Sequence, residues 1–170
     1  MFEGPVLGID PGLARTGMAV LEVRGRKPAI VWTDTVLTPA SMAEAERLRI
    51  IAAALRAAIA THLPVSVAVE RVMFGNNKLS ALSVARATGV AMVVAAEAGL
   101  TVDEYVPLEV KSAVTGMGNA DKTQVHTSLV RVHGLKEVPT QPDAADAVAV
   151  ALCHLTQARM RRVAARVGAR

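Results

Sequence analysis

Short apolar runs alternate along the chain with longer segments of helical period, and that alternation predicts the elements. Val6-Leu7-Gly8-Ile9 is apolar without a break and ends in Asp10-Pro11-Gly12, the pattern of a strand buried on both faces that stops at a turn. Residues 17–24 and 29–37 read as two more strands joined by a hairpin-like turn at Gly25-Arg26 with Lys27-Pro28. Pro39-Ala40-Ser41 is expected to cap a helix reaching about His62. Leu48, Ile51, Leu55 and Ile59 share one stripe of it, with Arg47, Arg49 and Arg56 off the stripe. Pro64 breaks the period, and residues 65–70 form a fourth strand that again ends in a carboxylate, Glu70. After a loop at 71–77, an Ala-rich helix is expected over 78–98 and a fifth strand over 101–106. Shorter helices at 107–114 and 121–132, separated by Gly116-Met117-Gly118-Asn119, lead to a last helix from Pro142 to about Arg162. Three meander strands followed by strands alternating with helices predict an α/β domain: a five-stranded mixed sheet flanked by helices.

Composition narrows this picture. Apolar residues make up 52% of the 170 positions but aromatics only 2%, so the core must be built from Val, Leu, Ile and Ala, which let helices approach a sheet closely. The lone cysteine, Cys153, rules out an internal disulfide and suits a reducing compartment. The opening Met-Phe-Glu-Gly-Pro lacks a leader pattern, and the most apolar helical stretch is too short to span a bilayer. A cytoplasmic protein without membrane association is expected. The net charge of +4 is concentrated at one end, because residues 159–170 hold five arginines and no acid. We therefore divide the chain into a domain at 1–158 and a basic C-terminal tail at 159–170, which either holds nucleic acid by counterion release or is a solvated end.

The candidate chemistry lies in carboxylates. Asp10 and Glu70 each end an apolar strand, and neighbouring strands would bring them together. Asp143 and Asp146, three apart in the first turn of the last helix, share a face. Taken singly, each has a bland reading: turn chemistry for Asp10, and an answer to the helix dipole for the aspartate pair. The surrounding Ala144, Ala145, Ala147, Val148 and Ala149 leave little polar surface there, so the pair needs a countercharge. Four carboxylates together repel unless cations sit among them, and an oxygen-only donor set points to Mg²⁺ or Mn²⁺ rather than zinc. Two such ions about 4 Å apart would serve in-line displacement at phosphorus. His62, His126, His133 and His154 lack ligand-like spacing, and Asp34, Asp103 and Asp121 read as surface or turn residues.

Gly8-Ile9-Asp10-Pro11-Gly12 with Thr16-Gly17, Val69-Glu70 and Asp143-Ala144-Ala145-Asp146-Ala147 together resemble the bacterial RuvC Holliday junction resolvase family, of RNase H-like fold. The resemblance runs in order from Val6 to about His154. It implies that Asp10, Glu70, Asp143 and Asp146 are catalytic and bind two Mg²⁺, with Mn²⁺ able to substitute. It also implies a homodimer that nicks two opposing strands of a four-way DNA junction in recombination and repair. The products would carry 5′-phosphate and 3′-hydroxyl ends, and the RuvA/RuvB branch-migration complex would be the partner. The alternatives are another RNase H-like nuclease acting on RNA, and an inactive junction-binding module. An actin-like ATPase or sugar kinase also opens with Asp-x-Gly, but needs a second lobe and phosphate loop that this chain lacks.

Around this site, Lys111 and Lys122 flank the Gly-rich connection and are assigned to phosphate contact through the same resemblance. Arg71 and Lys78 are read as a basic track continuing from Glu70, with Arg86 either on that track or facing solvent. Phe74 and Met73 lie on the loop after Glu70, where an aromatic could stack on an unpaired base. Relatives usually carry an aromatic where Met73 stands, and Gln where Arg71 stands; Phe74 is our choice for the wedge. On the Ala-rich helix, Ala81, Ala85, Gly89 and Met92 form a small-residue face suited to packing on the sheet or to a subunit interface.

Overall fold

The computed structural model describes residues 4–72 and 78–168, with the side chains of 78–80 and 158–168 outside the description. Five strands form one sheet: β1 (Val6–Asp10), β2 (Arg15–Arg24), β3 (Lys27–Leu37), β4 (Ser66–Glu70) and β5 (Thr101–Tyr105), in the order β3-β2-β1-β4-β5. The β1–β2 and β2–β3 pairs are antiparallel, whereas β1–β4 and β4–β5 are parallel. This is the mixed sheet expected from a meander followed by crossover strands.

Strand alternation divides the core. Leu7, Ile9, Met18, Val20, Val67 and Val69 point to one face, where α1 (Glu44–His62) and α2 (Lys78–Glu97) cover them with Ile51, Leu55, Ala87, Ala91 and Val94. Val6, Ala19, Leu21, Ala68 and Tyr105 point to the other face. There they meet α3 (Pro107–Thr115), α4 (Lys122–Arg131) and above all α5 (Pro142–Gly168). Because side chains repeat every second residue, Asp10 shares the α5 face with Val6, and Glu70 shares it with Ala68. Both strand-end carboxylates are thereby aimed at the start of α5.

Two glycines let α5 come that close. A Cβ at Gly8 would collide with the Ala147 carbonyl and the Ala151 methyl, and a Cβ at Gly17 with the Asp143 carbonyl. The helix backbone lies directly on β1 and β2, a contact that only glycine permits. Midway along, α5 is tied down by His154. Its Nε2 lies 3.0 Å from the Ser66 hydroxyl on β4, and its Nδ1 lies 2.9 Å from the Tyr105 hydroxyl on β5. Asp103 stands 3.8 Å from the same Nδ1 on the α5 face of the sheet, so it is a partly buried strand residue and not the surface or turn residue expected. Asp34 and Asp121 do fit that expectation: Asp34 accepts from the Thr35 N–H, and Asp121 caps α4 in a reciprocal box with Gln124.

Several boundaries move. Residues 39–42 form their own turn, with the Met42 N–H on the Pro39 carbonyl, so α1 begins at Glu44 and not at Ser41. Glu44 and Glu46 then supply the negative charge its first turn favours. β2 starts at Arg15, because Arg15 and Thr16 already pair with Leu37 and Val36. α5 continues to Gly168, carrying most of the basic tail on its backbone. On α2, Ala81 faces the core and Met92 is partly covered; the exposed stripe runs through Leu82, Arg86, Gly89 and Val93. Among the described residues no helix is long and apolar enough to cross a membrane.

Candidate active site

The parallel register between β1 and β4 sets Ile9 beside Val69, so the following residues, Asp10 and Glu70, leave adjacent strands at the same edge. Both are largely buried. Burial, reinforced by Glu70 and then by Asp146 and Asp143, pushes the Asp10 carboxyl up to about 8. Glu70 is also raised, first by burial, while its hydrogen bond to Asp10 and the charges of Lys122 and Lys111 pull the other way. The consistent picture is a protonated Asp10 donating to the Glu70 carboxylate. All four carboxylates therefore feel one another, as their positions at two strand ends and one helix start require.

Cations already stand against the α5 pair. Lys122, the first residue of α4, donates from Nζ to Asp146 Oδ2 at 2.8 Å, and that bond raises the lysine's own pKa. Arg15 Nη1 lies 4.0 Å from Asp143 Oδ2. With Asp10 bound to Glu70, and Asp143 and Asp146 each beside a cation, no group of three His, Cys, Asp or Glu side chains among the described residues is placed to hold a metal ion. The donor set itself suits a hard divalent cation: it is all oxygen, and its negative charge adds to burial in holding a proton on Asp10.

The chain matches the family model described as crossover junction endodeoxyribonuclease RuvC over residues 6–154. It belongs to the RuvC family. A RuvC from Leifsonia xyli subsp. xyli is 45% identical over 150 residues, covering 88% of this chain and 72% of that one. The RuvC of Heliobacterium modesticaldum is also 45% identical, covering 87% and 91%. Among solved structures, T. thermophilus RuvC in complex with a Holliday junction substrate superposes with a TM-score of 0.86 at 36% identity, covering 93% of this chain and 96% of that one. The architecture is accordingly RNase H-like, as the ordered motifs implied.

The remaining site residues sort by element. Lys111 on α3 and Lys122 are both close enough to Glu70 for their charges to oppose the rise in its pKa. Gly116 turns the chain between them in a left-handed conformation that closes α3. Arg71 has its N–H on the Tyr105 carbonyl and its guanidinium 3.6 Å from Glu104, which directs it along β5 and away from the carboxylates. Arg86 pairs with Glu44 on α1, on the face opposite α5, and so does not continue the basic track. Met73 and Phe74 lie outside the described residues, as does the Lys78 side chain. Arg15 was not among the residues picked out from the sequence. The signal was a cation just after Asp10-Pro11-Gly12, but only the fold shows that Asp143 comes to meet it.

Proposed function

We propose that this RuvC-family chain resolves four-way DNA junctions by hydrolysing one phosphodiester in each of two opposing strands, with Asp10, Glu70, Asp143 and Asp146 as the catalytic carboxylates. The supporting observation is the convergence of two strand-end carboxylates and a helix-start pair, whose charges add to burial in raising the Asp10 pKa. These four residues would hold two Mg²⁺ or Mn²⁺ ions, which when bound supply an activated water and charge stabilisation at the leaving oxygen. Asp10, which holds its proton against Glu70 in the absence of a cation, would have to release it to serve as a ligand. Asp146 would be one of the residues holding a cation, and Lys122, which now donates to it, would then be available to the phosphate backbone beside Lys111. The expected ends are 5′-phosphate and 3′-hydroxyl.

A junction presents two symmetric strands, so a twofold dimer matches it; the exposed α2 stripe of Leu82, Gly89 and Val93 is a candidate surface. Phe74 is the proposed base-stacking residue, residues 159–170 a further phosphate-binding element, and RuvA/RuvB the proposed partners. An RNA nuclease of the same fold would use the same carboxylates, but family membership and the T. thermophilus RuvC complex with a Holliday junction favour DNA junctions.

The decisive experiment incubates the chain with labelled four-way, three-way and linear duplex DNA in Mg²⁺, in Mn²⁺ and in chelator. Paired symmetric cuts confined to the four-way substrate, and lost in chelator, are expected. Asp146→Asn should reduce cleavage at least a hundredfold while still binding the junction. Cutting at the wild-type rate by that variant would remove Asp146 from the site.

A further inference from the structure

Of the two cations standing against the α5 aspartates, Lys122 belongs to the phosphate-binding segment already described, whereas Arg15 has no role assigned. Its side chain is 65% exposed, and its pair with Asp143 is long, at 4.0 Å. An exposed pair of that kind contributes little to stability. The main chain carrying it, by contrast, is held at many points. The Thr16 hydroxyl donates to the Gly12 carbonyl, the Thr38 N–H to the Ala14 carbonyl, and the Thr38 hydroxyl to the Leu13 carbonyl. Arg47 in turn donates from Nε to the Thr38 hydroxyl at 2.9 Å. Gly12 is packed so tightly over the Arg15 carbonyl that a Cβ there would collide. A guanidinium that the fold does not need is thus mounted on the fixed first residue of β2, at the rim of the carboxylate cluster.

We propose that Arg15 grips a backbone phosphate of the DNA strand being cut, on the side of the site away from Lys122. Asp143 and Asp146 are neighbours one turn apart, with Arg15 beside the first and Lys122 beside the second. A strand laid across the carboxylates would therefore meet a cation at each end of the aspartate pair. The planar fork of arginine fits two phosphate oxygens at once, and the rigid main chain at the start of β2 lowers the ordering cost of that contact. Phosphate displaces the weak Asp143 contact, and Asp143 is left available to the site. This rests on the junction-cutting reading above.

The test measures binding of the full-length protein to labelled four-way junction DNA in chelator across a salt series, for wild type, Arg15→Gln and Arg15→Lys. Single-turnover cleavage in Mg²⁺ is followed alongside. Arg15→Gln should weaken binding roughly three- to tenfold and make the slope of log affinity against log salt shallower by about 0.9, the loss of one phosphate contact. Arg15→Lys should keep the slope, because it keeps the charge. Both variants should melt with the wild type. An Arg15→Gln slope equal to wild type overturns the proposal: reduced cleavage would then mean that Arg15 acts only on Asp143, and unchanged cleavage would make it a surface ion pair. Wild-type protein that neither binds nor cuts the junction overturns the underlying reading, and the Arg15 proposal with it.

Discussion

Asp10 holds its proton near neutrality because burial and three neighbouring carboxylates oppose its charge, and this makes the stability of the metal-free chain depend on pH. The unfolded group titrates near 3.8 and the folded one near 8, so between those values the native state binds more protons. The stabilisation from protonated Asp10 is complete below pH 4. It is lost as pH rises toward 8, at up to about 1.4 kcal/mol per pH unit. Asp10→Asn, which needs no proton, should therefore melt increasingly above the wild type from pH 4 to pH 8 in chelator, with the gap constant beyond. Parallel melting curves across that range would place Asp10 in an ordinary carboxylate environment. Excess Mg²⁺ should close part of the gap in favour of wild type, since only the aspartate can use the cation. At this scale the four carboxylates were legible in the sequence, because strand-end acids and an i,i+3 pair have recognisable spacing. Their partners were not. Lys122 reaches Asp146, and Arg15 reaches Asp143, across sequence separations that no local pattern encodes. Asp103 reads as a surface residue in the sequence, whereas the fold sets it 3.8 Å from His154.

The site depends on how closely α5 approaches the sheet, and that distance is set by residues with no side chain. Gly17 lies under the Asp143 carbonyl and Gly8 under Ala147, so the helix that carries the aspartate pair rests directly on the strand that carries Asp10. Gly17→Ala should force α5 outward. We expect a loss of about 1–3 kcal/mol, typical of overpacking, read as a fall in melting temperature. Cleavage should fall by more than the lost folded fraction explains, because the aspartates move as well. Equal losses in the two would mean that the sheet yields and the site does not. The element pattern itself was largely legible. Apolar runs with polar ends gave five strands, and the switch to helical period separated the meander from the crossovers. The start of α1 was misplaced because Pro39 and Ser41 resemble a helix cap, whereas the Thr38 hydroxyl is already engaged by Leu13 and the following residues close their own turn. The spacing of small residues on α2 was visible, but which of them face outward depends on the sheet beneath.

For the whole molecule, two symmetric cuts require two sites related by a twofold axis, and a single copy carries one cluster of carboxylates. On α2, Val93 and Leu82 remain 56% and 45% exposed, with the open Gly89 between them on the same stripe. A second α2 could pack closely there, since Gly89 has nothing within 4 Å of where a Cβ would stand. Val93→Glu would put a charge into such an apolar contact, where it is costly to desolvate. The side chain touches none of the catalytic residues, and in the isolated chain it faces solvent, so the fold should survive. Sedimentation should show wild-type dimers becoming monomers. Junction cleavage should change from paired cuts to slow, uncoupled single nicks, because each monomer still carries a complete set of four carboxylates. Retention of both the dimer and paired cutting would move the twofold interface to another face. Loss of paired cutting with the dimer intact would instead assign this stripe to DNA positioning.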